Sequence, residues 1–430
     1  MNSTRSSHKN VCSTGNNAVW HKSVYTGLFA EFALNGPEAA DPRIHICSGQ
    51  VGADSTRRAT LAAGGAGLEP ISAEQACIGE AIERMQPYRL PDDACVESSF
   101  REWPLKERAI DPRQWILFHP QQYAQNGFPF KPFTDQSVCR WICFRHAGSG
   151  EPVWVPEEMA YLFRPDSHTI APAVSTGLSC SQTGAPISAL LRGLQEVIER
   201  DAVVGGWWGG YPVEEWSAER VFRILETQTP GITEKLTRPN LRYRFYRVNA
   251  PFSSHVTMAT SEGADVAGQV FSAGSACRQT RAASWHKSLL ECIHGRYYVR
   301  YMLTQGGEPK LTPPLGDFGA HALYYSRHPE RLKKTILHQA IAPTEDKSGD
   351  EIDETVSILS ERLGPQRPVL FRIMTPPGIA SEVREWHVLK VLVPGLQPLH
   401  GNDSFAHLGG PLWAPRGLKE WPEIPPHPFP

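Results

Sequence analysis

The sequence predicts an α+β fold of mixed sheets with packed helices, and three observations predict it. Short apolar pieces bounded by turn residues recur near both ends of the chain. Three longer segments carry apolar residues at steps of three and four. The 36 glycines and 37 prolines supply punctuation for many turns around that regular core.

In order along the chain, residues 1–20 are polar and rich in Ser and Asn and read as a flexible leader. Residues 21–60 read as N-terminal strands: Tyr25 to Phe29 and Ile44 to Cys47 are apolar, broken by Asn35-Gly36-Pro37 and Asp41-Pro42. The main domain is expected over 61–410. It opens on the glycine cluster Gly64-Gly65-Ala66-Gly67, followed by Ser72-Ala73-Glu74-Gln75, a capping-box order. Ala76, Ile78, Gly79 and Ile82 then carry helical spacing to Met85. Residues 87–175 are loop-rich, with strand-like runs at Val138 to Phe144 and Val153 to Val155. The strongest helix runs from Ile187 to Val204, where Ile187, Leu190, Leu191, Leu194, Val197 and Ile198 line one face. Another helix spans Arg281 to Tyr298. Thr355 to Leu363 reads as a helix, Pro368 to Met374 and Val388 to Val393 as strands. Residues 411–430 form a proline-rich tail.

At 430 residues the chain can bury a large core. Lys+Arg (43) and Asp+Glu (45) nearly cancel, so no global basic field exists to hold a nucleic acid. No apolar run approaches the ~20 residues that cross a bilayer, so no membrane anchoring is expected. The start MNSTRSSHKNVCSTGNN lacks the apolar core of a secretion signal, and the nine cysteines are scattered. A reducing, cytoplasmic location is expected. Cys139 and Cys143 have no matching second pair and do not read as zinc ligands. Trp207 and Trp208 read as packing.

Chemistry is carried by a repeated heptapeptide. Ile78-Gly79-Glu80-Ala81-Ile82-Glu83-Arg84, Leu194-Gln195-Glu196-Val197-Ile198-Glu199-Arg200 and Leu289-Leu290-Glu291-Cys292-Ile293-His294-Gly295 each place Glu, a residue, Ile, then Glu or His. On a helix, i and i+3 share a face, so the first two copies present paired carboxylates. Such pairs are tolerated on solvated faces, and Glu351 with Glu354 and Glu382 with Glu385 are further examples. Brought together, several pairs would require cations, and oxygen ligands suit Mg²⁺ bridging phosphates. By chance about 0.1 copies of Glu-x-x-Glu-Arg are expected at average composition; two occur. Around Glu196 and Glu199 stand the small residues Ala189 and Gly193, with Arg192 and Arg200, and the small residues permit close approach of a ligand or another helix.

The stretch Ser175-Thr176-Gly177-Leu178-Ser179 through Leu191 to Ala202 resembles the signature of the YcaO domain, whose members use ATP to activate peptide-bond oxygens. The resemblance extends over about residues 60–410 and includes Ala76 to Arg84, Val155-Pro156, Glu291, Val391 to Pro398 and Leu408-Gly409. Pro426-His427-Pro428-Phe429-Pro430 resembles the proline-rich terminus of the azoline-forming branch. The resemblance implies a YcaO-type fold around an ATP cleft, with Glu80, Glu83, Glu196, Glu199 and Glu291 holding Mg²⁺ against ATP and with Arg200 and Lys287 on the phosphates. Ser181 matches a polar position of the family, with a turn or cap serine as the alternative. The family usually has Gln where His294 stands, Lys where Ala66 stands and Ser where Ala76 stands. No Gly-x-x-x-x-Gly-Lys-Ser/Thr loop occurs in the chain.

The implied reaction is cyclodehydration of Cys, Ser or Thr in a ribosomal precursor peptide to thiazoline or oxazoline. His427 or the Pro430 carboxylate would assist proton transfer, unless the tail is a stiff cover for one lobe. Peptide thioamidation is a second outcome of the same activation, against which Pro430 as last residue argues; a non-catalytic peptide-binding subunit is the third reading. The implied partners are the precursor peptide, a separate E1-like or leader-peptide-binding protein and a flavin-dependent dehydrogenase. A homodimer is open as well.

Overall fold

The computed structural model describes residues 29–51, 61–89, 93–103, 106–162, 169–182, 185, 187–208, 210–265, 267–304, 311–343, 352–375, 386–413, 421 and 424–429. The leader, the Tyr25 to Leu28 piece and Pro430 lie outside these. Three antiparallel sheets organise the chain. The first joins β1 (Phe29–Asn35), β2 (His45–Val51) and β3 (Leu61–Gly67) in that order. The second runs β4 (Val96–Ser99), β5 (Val138–His146), β12 (Leu370–Ile373), β13 (Trp386–Leu392) and β7 (Leu178–Gln182), with β6 (Pro152–Pro156) also paired to β5. In the third, the order is β11 (Gly268–Ala276), β10 (Thr257–Asp265), β9 (Arg242–Val248) and β8 (Val213–Trp216).

Three helices position the site. Helix α1 spans Pro70–Met85, α2 spans Ala189–Trp207 and α3 spans Arg281–Thr304. The capping-box order at Ser72 does not start α1. Pro70 stands at its first turn behind an extended Glu69, because a proline there loses no intrahelical hydrogen bond. Helix α2 begins where the Ser188 hydroxyl accepts the Leu191 N–H at 3.2 Å. It runs past the last predicted residue because Gly205, Gly206 and Trp207 are also buried. Such all-round burial marks a helix held by packing on every side. Leu194, Val197 and Ile198 join Val391, Val393, Trp207, Trp208 and Phe429 in the largest apolar core.

The small residues of α2 have a definite neighbour. A Cβ on Gly193 would stand 2.6 Å from Val391 Cγ2 and 2.9 Å from Ser179 Oγ, so what approaches is the β7–β13 pair. Ser179 Oγ also donates to the Ala189 carbonyl at 2.6 Å. The glycine cluster at 64–67 is likewise an inner strand edge, β3, laid against α1: a Cβ on Gly65 would meet the Ala73 carbonyl at 2.2 Å.

Candidate active site

Two copies of the heptapeptide are held by the same device. On α1, Glu80 Oε2 accepts the Gly64 N–H at 2.7 Å, and Arg84, one turn on, pairs with Oε1. On α2, Glu196 Oε2 accepts the Gly177 N–H at 2.9 Å, and Arg200, one turn on, stands 3.7 Å from Oε1. In each case a backbone N–H fixes one carboxylate oxygen and a guanidinium attends the other. Glu199 is buried, accepting from Ser275 Oγ at 2.7 Å and from the Cys277 N–H at 2.9 Å, with Arg278 at 3.9 Å. Glu291 on α3 pairs with Lys287 at 3.0 Å.

Electrostatics tie the three helices together. Burial, with the charges of Glu196 and Glu80, pushes the Glu83 carboxyl well above its usual range. Glu83 itself makes no hydrogen bond or ion pair among the described residues. Burial also raises Glu196, against the pull of Arg200. Burial would lower Arg200, but Glu199, Glu196 and Glu291 together hold it above its ordinary value. Burial would raise Glu291, yet Lys287, Arg278 and Arg200 bring it down. His294 is lowered by burial and stands within the fields of Glu80, Lys287 and Glu291. A Cβ on Gly64 would lie 2.7 Å from the His294 ring, so β3 and α3 close on each other there. All five predicted glutamates therefore share one electrostatic neighbourhood.

That neighbourhood contains groups to which the sequence pattern gave no role. Arg192 lies one turn before Glu196 on α2, and its side chain makes no hydrogen bond or ion pair among the described residues. Burial lowers it, and so does the charge of Arg278. Lys390 on β13 is fully buried, with Nζ donating to the Val174 carbonyl at 2.6 Å and the Thr176 carbonyl at 2.8 Å. Burial brings it down to about 8, against Glu196 and Glu83. Arg192 was legible in principle, since its spacing puts it on the carboxylate stripe; Lys390 sits in an apolar strand and carried no such signal. Ser181 is a buried β7 residue in register with His387.

Among the described residues no group of three His, Cys, Asp or Glu could hold a metal ion alone. The carboxylates nevertheless fit Mg²⁺ with a phosphate ligand. Mg²⁺ is commonly bound by one or two carboxylates, waters and substrate phosphates rather than by an all-protein cage. Glu83, half-buried, with no hydrogen bond or ion pair among the described residues and pressed by two other carboxylates, is a group that a cation would suit.

The other acidic pairs behave differently. Glu354 is fully buried and accepts from Ser254 N–H at 3.0 Å, from the Ser253 and Ser254 hydroxyls and from Arg362, which makes it a structural anchor. Glu351, Glu382 and Glu385 lie outside the described residues.

His427 is buried in an aromatic cluster beside the end of α2. Its Nε2–H donates to the His400 carbonyl at 2.7 Å, and its Nδ1 accepts the Phe429 N–H at 3.3 Å. Its ring stacks on His321 with centroids 4.0 Å apart. The tail backbone is pinned by Trp207 Nε1 to the Pro425 carbonyl at 2.7 Å, the Tyr325 hydroxyl to the Pro426 carbonyl at 2.6 Å and His321 Nδ1 to the His427 carbonyl at 2.8 Å. Trp207 lies about 12 Å beyond Glu199 along the helix, by the rise per residue.

A family model matches residues 64–397: the YcaO cyclodehydratases, which bind ATP and Mg²⁺. The chain belongs to the YcaO family. ATP and Mg²⁺ are thus its cofactors. Solved structures share its fold. A heterocyclase in complex with substrate and cofactor aligns with a TM-score of 0.68 at 17% identity, covering 97% of this chain and 57% of that one. The YcaO protein from Methanopyrus kandleri bound with AMPPCP and Mg²⁺ aligns at 0.57 and 17% identity, covering 88% and 89%. The E. coli microcin synthetase McbBCD complex aligns at 0.58 and 14% identity, covering 93% and 96%. This YcaO chain thus spans little more than half the length of that heterocyclase. No curated protein matches the sequence. No described helix of this YcaO protein is long and apolar enough to cross a membrane.

Proposed function

We propose that this chain cyclodehydrates Cys, Ser or Thr in a ribosomal precursor peptide to thiazoline or oxazoline, using ATP to phosphorylate the backbone amide oxygen. The side-chain nucleophile adds to the preceding carbonyl carbon, and the resulting oxygen is a poor leaving group. Accepting the γ-phosphoryl converts it to phosphate, whose departure leaves the azoline with ADP and Pi.

The observation that carries this reading is the convergence of Glu80, Glu83, Glu196, Glu199 and Glu291 from three helices, with Arg200 in the fields of Glu199, Glu196 and Glu291. Mg²⁺ held there would neutralise phosphate charge. The backbone N–H groups of Gly64 and Gly177 orient one oxygen of Glu80 and of Glu196 and leave the other oxygen directed by an arginine. Arg200 and Lys287 are already engaged by carboxylates, so Arg192, whose side chain makes no hydrogen bond or ion pair among the described residues, supplies the additional cation facing the phosphates. Fixed cations and dipoles of this kind stabilise developing charge without reorganisation.

His427 uses both ring nitrogens to hold the tail, which supports an anchoring role for that residue. The precursor would be delivered by a separate leader-peptide-binding protein, with a flavin-dependent dehydrogenase acting on the product, in the reducing cytoplasm that free thiols such as Cys47 and Cys277 suit.

The test is to incubate the protein with ATP, Mg²⁺, the candidate precursor and neighbouring gene products, and to follow the peptide by mass spectrometry. Loss of one water per ring is expected, abolished by E196Q and by E291Q. ATP consumed with no peptide mass change, or an oxygen-for-sulfur exchange, would overturn the assignment.

A further inference from the structure

A lysine with no exposed surface is costly, because desolvation disfavours its charge unless other groups replace water. Lys390 has none. Two of its three donors are taken up by the carbonyls of Val174 and Thr176, at 2.6 Å and 2.8 Å, and its charge is felt by Glu83 and Glu196. Those carbonyls belong to the segment that leads into β7. Its next residue, Gly177, takes a φ of 86° and uses both backbone groups: its N–H binds Glu196 Oε2 at 2.9 Å, and its carbonyl accepts the Val391 N–H at 2.8 Å. Lys390 and Val391 are consecutive, so one stretch of β13 grips residues 174–177 at three points.

We propose that Lys390 is a positioning residue for Glu196: its ammonium group fixes the backbone at Val174 and Thr176 so that the Gly177 N–H is presented to the carboxylate. The inference rests on the Mg²⁺-nucleotide reading above and adds the group that sets the α2 half of that site. Hydrophobic packing alone would not require this residue, since a methionine would fill a similar volume without the charge. A lysine at this place makes sense as a dry, internal cation that satisfies two carbonyls and offsets the Glu196 and Glu83 carboxylates while no metal is bound.

Loss of a partner that orients a metal ligand typically weakens metal affinity by about 10–100-fold. K390M is therefore expected to raise the Mg²⁺ concentration that half-saturates AMPPCP binding, followed by calorimetry, by at least about tenfold. Binding of the precursor peptide without Mg²⁺ is expected to stay at the wild-type level. Should K390M not fold, K390Q, which retains an NH₂ donor one bond shorter and without the charge, is measured in the same way. Unchanged Mg²⁺ dependence in a folded variant overturns the proposal. So does an equal loss of precursor and nucleotide binding together with a lowered melting temperature, the signature of a general packing role. A wild-type chain that binds AMPPCP with no need of Mg²⁺ would instead remove the underlying site assignment, which separates the two failures.

Discussion

Gly177 donates its backbone N–H to Glu196 across 2.9 Å while holding a φ of 86°, a conformation open to glycine and strained for other residues. A Cβ there would stand 2.1 Å from the Val391 carbonyl. The conformational and steric costs act together, so G177A should destabilise the protein by roughly 2–4 kcal/mol. Urea denaturation with the m-value unchanged would register this. A loss below about 0.5 kcal/mol would mean that the loop does not need its left-handed turn.

Gly64 and His294 make a reciprocal pair in space. Replacing Gly64 by Ala brings a methyl to 2.7 Å from the ring. G64A alone should cost on the order of 1–3 kcal/mol, and H294A should relieve most of that cost in the double variant. Thermal melts of the four-member cycle check the coupling; strict additivity would show that the contact carries no strain.

Glu83 tests the direction of the electrostatics. Its carboxyl is raised by burial and by Glu196 and Glu80, so the folded chain binds a proton that the unfolded chain releases. Without metal, this group's contribution to stability is present at low pH and is lost as pH rises through its raised folded value. E83Q mimics the protonated form. It should leave the metal-free melting temperature at neutral pH equal or higher, while reducing Mg²⁺-dependent AMPPCP affinity by about 10–100-fold. A variant less stable without metal and unimpaired with it would reverse the assignment.

The histidine cluster around the tail predicts acid lability. Burial lowers His407 to about 3, and it lowers His400 and sends His427 well below its ordinary value. Burial would raise Asp403, but hydrogen bonds with His321 and His400 hold it far below the usual carboxylate range, so it stays ionised over the same window. For a histidine whose folded value is depressed, the unfolded chain takes up the proton first. Stability is therefore complete above about pH 6.5 and falls below it, by about 1.4 kcal/mol per pH unit for each such histidine. Melting temperatures between pH 7 and pH 4 should show this decline, and H407F should flatten it. A flat profile in the wild type would mean that these rings are not held neutral.

Glu354 serves as the control. It belongs to a Glu-x-x-Glu pair outside the heptapeptides, and its oxygens are satisfied by Ser253, Ser254 and Arg362. E354A strands those donors and should cost roughly 1–3 kcal/mol, with no change in Mg²⁺ dependence.

Local pattern made much of this legible. The Leu194-Val197-Ile198 face, the strands at Val138 and Val388 and the heptapeptide glutamates are all matters of period and spacing, and the structure brings those glutamates together. The third sheet was not legible. Thr257 to Ser261 of β10 and Val270 to Ala276 of β11 are buried, yet these runs are rich in Ser, Ala, Gly and Thr, such as Ser261, Ser272 and Gly274, whose low hydrophobicity hides the strand signal. A Cβ on Gly274 would meet the Cys292 N at 2.4 Å, so small residues there answer to the close approach of α3. The start of α1 lies three residues before Ala73, which follows Ser72 in the capping-box order, and that of α2 two residues after Ile187, because Pro70 and Ser188 set the first turns. Lys390 and the glycine N–H clamps depend on contacts between distant segments, which no single stretch of sequence encodes.

The most direct measurement is calorimetric titration of the full chain with AMPPCP, in excess Mg²⁺ and again in excess chelator, for the wild type, E80Q, E83Q, E196Q and E291Q. Saturable binding that requires Mg²⁺ and weakens in variants on all three helices is the predicted result. Equal binding with chelator present, or variants on α1, α2 and α3 indistinguishable from the wild type, would contradict a shared metal–phosphate site.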